Sequence, residues 1–297
     1  MPADLKQRGS VAILALWAMA IVAVLLAAAG ATTRSEVLIT GNMVAASRTR
    51  HAAEAGTQLG LERLLRRHSS ADATFDGTPE PWQDGSVRVE IAIFDEAGKV
   101  DLNLAPVELL AGLFAAVGEP RATALLLACG VIDWRGETGS ACPEPADAAP
   151  RVRRRFATPE QLVQLPGFGE PLYDAVADYV TVATGATAIA PLVASCPVLL
   201  AVPGATPTLV DSFLHSRRQA DVTTLPPVAG PVPYLMASPG RDFTISAVAT
   251  TADRARFRAD LQVRLTEQPS RPYEVIAWRT PPVDRGRATA ATPRRVP

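Results

Sequence analysis

The sequence predicts an α+β protein in which a long N-terminal helix packs on a small antiparallel sheet, with an all-α domain inserted within the chain of the sheet. Three patterns indicate this fold. An apolar run at 11–29 is followed by helical spacing of apolar residues to about residue 67. Apolar and polar residues alternate at 87–93 and in three segments between 243 and 279, as in half-buried strands. Between about 105 and 182 the spacing is helical again.

The apolar run at 11–29 carries no charge and has the length of a membrane span. At 1.5 Å per residue it is about 28 Å long, close to the thickness of the hydrocarbon core of a bilayer. Lys6 and Arg8 before it and Ala29-Gly30-Ala31 after it also fit a cleaved secretory signal. The run exceeds the usual apolar segment of such signals, about 7 to 15 residues, which favours a retained helix. The basic residues then place the amino end inside and the body outside.

Beyond the apolar run, the same helix is predicted to continue as an amphipathic one. Its apolar positions include Leu38, Ala45, Ala52, Ala55 and Leu59. Three glycines weaken it by about 1 kcal/mol each relative to Ala: Gly41, Gly56 and Gly60. Its apolar stripe needs a partner surface, and the apolar face of the predicted sheet is the simplest one.

The strand at 87–93 runs into Asp95-Glu96-Ala97-Gly98-Lys99, which is typical of a hairpin turn. Asn103 shortly before Pro106 predicts the entry to a helix. The inserted helices are predicted at 106–117, 120–134, 159–164 and 170–180. The loop between the second and third contains the one dense basic cluster, Arg151, Arg153, Arg154 and Arg155.

A weak internal repeat lies in the helical region. Residues 158–167 resemble residues 196–204, each with a proline in the first helical turn and a Pro-Gly step before a second helix. This helix-hairpin-helix pattern is typical of DNA-binding proteins, whose loop amides hold a phosphate. The acidic residues Glu170, Asp174 and Asp178 follow the loop, however, and would repel a duplex. We therefore interpret the region as a protein-contact module and expect no nucleic-acid partner.

Gln7-Arg8-Gly9-Ser10, directly before the apolar run, resembles the class III leader of type IV pilins and type II secretion pseudopilins. The resemblance implies that a prepilin peptidase cleaves between Gly9 and Ser10 and methylates the new amino terminus. Most members carry Glu at the fifth mature position, which is Leu14 here. A glutamate in lipid needs a pairing partner, so its absence suits a subunit with no neighbour above it. This departure is typical of the minor pseudopilin K type of the filament tip.

The phrase at 95–103 and the split strand, helix, strand order also resemble this type. The resemblance implies a pilin-like fold with an inserted SAM-like helical domain, a single pass of the inner membrane and a periplasmic body. It implies a role in starting or capping the filament that exports proteins across the outer membrane. The implied partners are other minor pseudopilins of the I and J types, the prepilin peptidase and the inner-membrane assembly platform.

The predicted divisions are a leader (1–9), a transmembrane and amphipathic helix (10–67), the first pilin-like part (68–104), the inserted helical domain (105–190), the second pilin-like part (191–279) and a disordered tail (280–297). A minor pilin of a related type IV filament is the alternative function. A secreted helix-hairpin-helix protein that binds nucleic acid is a further one.

The three cysteines lie beyond the anchor and would face an oxidising periplasm. Cys129 and Cys142 would close a loop of about 14 residues, worth roughly 3 kcal/mol. A buried thiol at Cys129 is an equally open interpretation. Cys196 has no predicted partner.

The sequence predicts no enzyme, because the three histidines are scattered and no serine or cysteine lies in an activating motif. The net charge of −1 gives no attraction to nucleic acid. No cofactor is certain, but calcium is implied by the resemblance. The acidic candidates are Asp95, Glu96, Asp101, Asp133 and Glu137. No EF-hand spacing is present, so the metal ligands stay unassigned.

Overall fold

The computed structural model describes residues 5–68, 74–137, 142, 154–219 and 232–283, and in the first helix it describes side chains at 13–26 and from 40 onward. The helices are α1 (Leu5–Arg67), α2 (Val107–Ala116), α3 (Arg121–Trp134), α4 (Glu170–Val176), α5 (Cys196–Leu200) and α6 (Pro207–Arg218). The strands are β1 (Glu80–Asp84), β2 (Val87–Asp95), β3 (Val100–Asp101), β4 (Val180–Thr181), β5 (Asp242–Thr250), β6 (Arg256–Leu265) and β7 (Tyr273–Arg279).

The long first helix is confirmed, and it ends at the predicted residue. α1 has 63 residues, and Arg66 and Arg67 occupy its last turn, where basic side chains complement the helix dipole. Its C-terminal half lies on the sheet, and its N-terminal half extends beyond the sheet.

The predicted sheet is also confirmed, as five antiparallel strands in the order β1-β2-β5-β6-β7. β1 is not predicted from the sequence. Pro81 and the charged ends of this short strand hide the alternation, and proline is tolerated there because β1 is an edge strand.

One face of the sheet packs against α1 in what we call the helix–sheet core. It contains Ala52, Ala53 and Leu64 of α1 together with apolar residues of β2, β5 and β6, among them Val89, Ile245 and Leu261. The period of two in the strands places these side chains on the same face of the sheet. The apolar stripe of α1 and the apolar face of the sheet therefore bury each other, as the sequence predicts.

A second core, the helical core, lies among α2, α3, α4, α5 and α6. Leu109, Leu113 and Phe114 of α2 are fully buried in it. Val198 of α5 and Phe213 of α6 belong to it too, although both lie beyond residue 190, where the sequence places the end of the inserted domain. In the structure the helical part of the chain therefore consists of α2 to α6, and it includes α5 and α6.

Two local predictions are wrong. Residues 96–98 form a 3-10 helix instead of a hairpin turn, and β3 pairs in parallel with β4. The Ala190 N–H bonds the Ala97 carbonyl at 2.7 Å, which draws the chain away from β2. The helix predicted at 170–180 ends at Val176, because Val180 and Thr181 are used in that parallel pair.

Candidate functional site

The N-terminal half of α1 exposes its apolar side chains. Ten large apolar residues between Ile13 and Leu26 are 53–68% exposed, and Leu14 is 68% exposed. Successive residues such as Ile13 and Leu14 point in directions about 100° apart, so these side chains surround the helix. A helix that is apolar all round is stable in apolar surroundings. Among the residues that the structure describes, no helix is both long enough and apolar enough to cross a membrane.

The predicted processing point lies inside α1. The backbone of Gly9 and Ser10 is helical, and cleavage between them stays a prediction.

The C-terminal half of α1 approaches the sheet through two glycines. A Cβ atom at Gly60 would lie 2.5 Å from Ile245 Cγ2, and one at Gly56 would lie 2.8 Å from Val89 Cγ1. At Gly41, nothing lies within 4 Å of such an atom. The sequence predicted that all three glycines weaken the helix. Two of them instead permit the close contact between helix and sheet.

The opposite face of the sheet is polar at its centre, and the helical part covers this centre. Thr244 lies opposite Gln262 and Ser246 opposite Asp260, and all four residues are at most 9% exposed. Buried polar groups need hydrogen-bond partners. We call this region the polar junction.

Two arginines of β6 connect the sheet to the helical part at the polar junction. Arg258 Nε donates to Asp260 at 2.8 Å, and Arg258 also bonds Asp178, which follows α4, at 3.3 Å. Burial alone lowers the pKa of Arg258, but the carboxylates of Asp260 and Asp178 outweigh burial and raise it. Arg264 bonds Asp242 at 2.6 Å and the Ala183 carbonyl at 3.2 Å.

The segment at 95–103, which carries part of the family resemblance, supplies three buried carboxylates to the same region. Glu96 is 2% exposed, pairs with Lys99, and accepts hydrogen bonds from Thr181 and from Gln262 of β6. Its contacts therefore reach the 3-10 turn, β4 and the sheet at once.

Asp95 and Asp101 fix the turns on either side. Asp95 accepts from the Ala97 N–H at 2.9 Å and from the Ser238 hydroxyl. Burial raises the pKa of Asp95, although these hydrogen bonds oppose that shift.

Asp101 accepts from the Thr184 hydroxyl and the Gly185 N–H, each at 2.9 Å, and from the Asn103 N–H at 2.7 Å. All of these donors belong to the protein itself.

Four of the described calcium candidates make contacts within the protein itself. The oxygens of Asp95, Glu96 and Asp101 point to protein donors, and Glu137 lies 3.6 Å from Arg135. Within the part of the chain that the structure describes, no three His, Cys, Asp or Glu residues come together to hold a metal. Calcium needs about six to eight oxygen ligands, and the calcium ion stays a prediction without assigned ligands.

The entry to the helical part is held by Asn103 and Arg135. The Asn103 amide accepts from the Phe156 N–H at 2.8 Å and donates to the Phe156 carbonyl at 3.0 Å. Arg135, which is 4% exposed, donates to the carbonyls of Leu102 and Ala105 at 2.6 and 2.9 Å. Burial lowers the pKa of this guanidinium. Both side chains fix the segment that leads into α2.

Cys129 of α3 forms a disulfide with Cys142, with Cα atoms 5.5 Å apart. The sequence left this pairing open against a buried thiol. Cys196 is free and half-buried at the start of α5. Burial raises the pKa of its thiol, which disfavours the reactive thiolate.

The internal repeat corresponds to two hairpins of similar geometry. Gly167 before α4 has φ +86° and Gly204 before α6 has φ +84°, a conformation that glycine adopts readily. Phe168 in the first loop is buried and meets Phe114 edge to face at 5.2 Å. The hairpins therefore build the helical core.

Of the predicted basic cluster, Arg154 lies over the Trp134 ring at 5.3 Å, and Arg155 is exposed. Arg151 and Arg153 lie outside the described residues.

The sequence does not predict that Arg258 and Arg264 join the two parts, or that Arg135 and Asn103 hold the entry to the helical part. The alternation in β6 shows that Arg258, Asp260, Gln262 and Arg264 share a face. A charged face normally indicates solvent, and the pattern carries no sign that helices cover it.

No family model and no curated protein matches the chain. Among solved structures, the fold is similar to a chain of the GspK–GspI–GspJ complex from the type 2 secretion system of enterotoxigenic Escherichia coli. The TM-score is 0.50 and the identity 15%, over 84% of this chain and 99% of that chain. The likeness confirms the predicted fold, an α+β pilin-like body with helices added to it.

Proposed function

We propose that the protein is a minor pseudopilin of the K type at the tip of a type II secretion pseudopilus. The observation that carries the proposal is that the two halves of α1 lie in different surroundings. One half is buried on the protein's own sheet, and the other half exposes apolar side chains from Ile13 to Leu26. Such an arrangement suits a subunit held first in a bilayer and then among the helices of its neighbours.

The membrane position follows from the same helix. The uncharged run at 11–29 crosses the inner membrane once, with Lys6 and Arg8 on the cytoplasmic side. The sheet and the helical part then lie in the periplasm. The prepilin peptidase removes the leader after Gly9, and Ser10 becomes the methylated amino terminus.

The tip position is supported by Leu14 and by the helical part. Without a carboxylate at residue 14, the helix makes no charge pair with the amino terminus of a subunit above it. The helical part packs on one face of the sheet at Arg258 and Arg264 and adds bulk to the body. The partners that we propose are minor pseudopilins of the I and J types and the inner-membrane assembly platform. The similar chain was solved in a complex with two such proteins. The role is assembly without catalysis.

The test is the mature amino terminus of the protein extracted from membranes. With the prepilin peptidase present, we expect a methylated Ser10 and an intact apolar helix. Without the peptidase, the leader stays attached. A mature terminus near Thr32 would mean that the apolar run is a cleaved signal, and the proposal would then be rejected.

A second arm of the experiment addresses the tip. Leu14→Glu restores the carboxylate that most subunits of such filaments carry. We expect processing at Gly9 to continue and the variant to lose its confinement to the filament end, as seen by immunogold labelling. Labelling along the whole filament by the unaltered protein would contradict the tip position.

A further inference from the structure

The outermost strand β7 exposes large apolar side chains. Val275 is 53% exposed, Ile276 43% and Trp278 43%, whereas the strands inside the sheet bury theirs. No described strand pairs with the outer edge of β7. This strand is therefore a candidate contact surface.

The register of the sheet shows which way two of these residues face. Trp278 lies opposite Leu261 and Val275 opposite Val263, and both partners belong to the helix–sheet core. Directly opposite residues of an antiparallel pair share a face. Val275 and Trp278 therefore lie on the α1 side of the sheet, and we call this pair the β7 surface.

The position of α1 leaves room for one more helix above the β7 surface. α1 packs over β5, with β2 and β6 on either side of it. Neighbouring strands are about 4.8 Å apart, so β7, two strands from β5, lies about 9.6 Å from the line of α1. Packed helices are about 8–10 Å apart. A second helix beside α1 would therefore cover β7.

The opposite flank of α1 is closed. Arg63 and Arg67 of α1 form ion pairs with Glu80 of β1, the other edge strand. These bonds cross the space that a helix on that side would need. Among the described residues, the open position therefore lies on the β7 side.

The charges near the β7 surface indicate the kind of helix that fits. Arg271 pairs with Glu274 of β7. Because this pair is compensated within the chain, the neighbourhood of the β7 surface is complementary to a helix whose facing stripe is uncharged and apolar. The C-terminal residues 284–297 contain one large apolar side chain, Val296, and so make a poor cover.

We propose that the β7 surface binds an α-helix of a different pseudopilin subunit, through an uncharged apolar stripe, in parallel contact with α1. The proposal rests on the proposed function, which places one copy of this chain at the tip and therefore makes the neighbour a different subunit. The surface gives the tip subunit a second contact beside the exposed half of α1.

The test uses the full chain in detergent and the purified periplasmic domains of the I-type and J-type minor pseudopilins from the same secretion system. Trp278→Glu and Val275→Glu place a charge in the proposed contact. We expect each to weaken binding of one of these domains by at least about tenfold, as for a central interface residue. Leu126→Glu is the matched control, since Leu126 is 63% exposed on α3, away from β7, and binding should be unchanged.

The two proposals fail in different ways. If the unaltered chain binds neither domain, the proposed function fails. If it binds but the β7 variants bind equally well, only the inference about β7 fails. A photo-crosslinker at Val275 should attach to a helix of the partner. Crosslinks to a strand or loop, or to a second copy of this chain, would overturn the inference.

Discussion

The two faces of the five-stranded sheet are buried in different ways. On one face, Ile245 and its neighbours pack against α1 with apolar contacts. On the other face, Ser246, Asp260 and Gln262 lie under the helical part, held by hydrogen bonds and ion pairs. Two consecutive residues of β5, Ile245 and Ser246, thus belong to opposite kinds of interface.

The difference shows what each interface contributes. Apolar burial is non-directional and supplies most of the free energy of folding. Buried ion pairs add little net stability, because the desolvation cost offsets their attraction, but removing one partner is costly. The helix–sheet core therefore stabilises the body, whereas the polar junction sets the orientation of the helical part on the sheet.

The largest expected effect comes from Ile245→Ala in the helix–sheet core. Ile245 is fully buried, and truncation of such a side chain costs about 2–5 kcal/mol through lost transfer energy and a cavity. The neighbouring change Ser246→Ala removes only the hydrogen bond from Arg258 at 3.1 Å, at a cost of about 1 kcal/mol. Urea unfolding of both variants gives the loss in free energy of unfolding on each face of the sheet, at two adjacent residues. Equal losses would show that the two faces do not differ in this way.

The next effect is expected at the polar junction. Arg258→Met leaves Asp260 without its guanidinium and should cost about 1–3 kcal/mol. We expect limited proteolysis to release the helical part from the sheet earlier than in the unaltered protein. Arg88→Met, on exposed Arg88 of β2, is the control and should behave as the unaltered protein. If both variants are cleaved alike, Arg258 does not hold the two parts together.

Periodicity predicted the apolar interface because both of its sides carry the pattern. The stripe of α1 and the alternation of β2, β5 and β6 each indicate a buried face, and each requires the other. Periodicity shows that Asp260 and Gln262 share the second face, but local sequence does not show what covers it. The contacts of Arg258 span 80 residues of sequence to Asp178.

The conformation of the turn at 95–99 also depends on a distant segment that local sequence does not show. Its composition is that of a hairpin, but Gly98 lies so close to the chain at Val193 that a Cβ atom would come within 2.6 Å of the Val193 carbonyl. This long-range contact selects the 3-10 helix. The sequence carries the glycine and gives no indication of the segment that approaches it.

Glycine substitutions in α1 and α3 test the close contact between helix and sheet. Gly60→Val forces side-chain atoms into the space next to Ile245 and should cost about 1–3 kcal/mol. Gly130→Ala in α3 meets nothing within 4 Å, and should raise the free energy of unfolding by up to about 1 kcal/mol. The midpoint temperatures of thermal unfolding, followed by circular dichroism, should therefore shift in opposite directions for the two variants. A shift in the same direction for both would indicate that helix propensity, and not the close contact with the sheet, controls the effect of Gly60.

The smallest expected effect is the pH dependence due to Asp95 at the edge of the polar junction. Burial raises its pKa above the ordinary value of 3.8, and the nearby Glu96 and Asp242 act in the same direction, while bonds from Ser238 and Ala97 oppose it. The folded protein therefore keeps this proton to a higher pH than the unfolded chain does. The free energy of unfolding accordingly falls as the pH rises from 3.8 through the folded pKa. Asp95→Asn keeps the bond from the Ala97 N–H on its amide oxygen, turns its amide NH2 toward the Ser238 hydroxyl as a donor, and removes the titrating charge. Its stability relative to the unaltered protein should therefore increase with pH over the same range. Asp253→Asn in the exposed β5–β6 turn is the control, and its unfolding curve should follow that of the unaltered protein at each pH. Parallel pH curves for Asp95→Asn and the unaltered protein would mean that burial under the helical part does not disfavour the Asp95 charge.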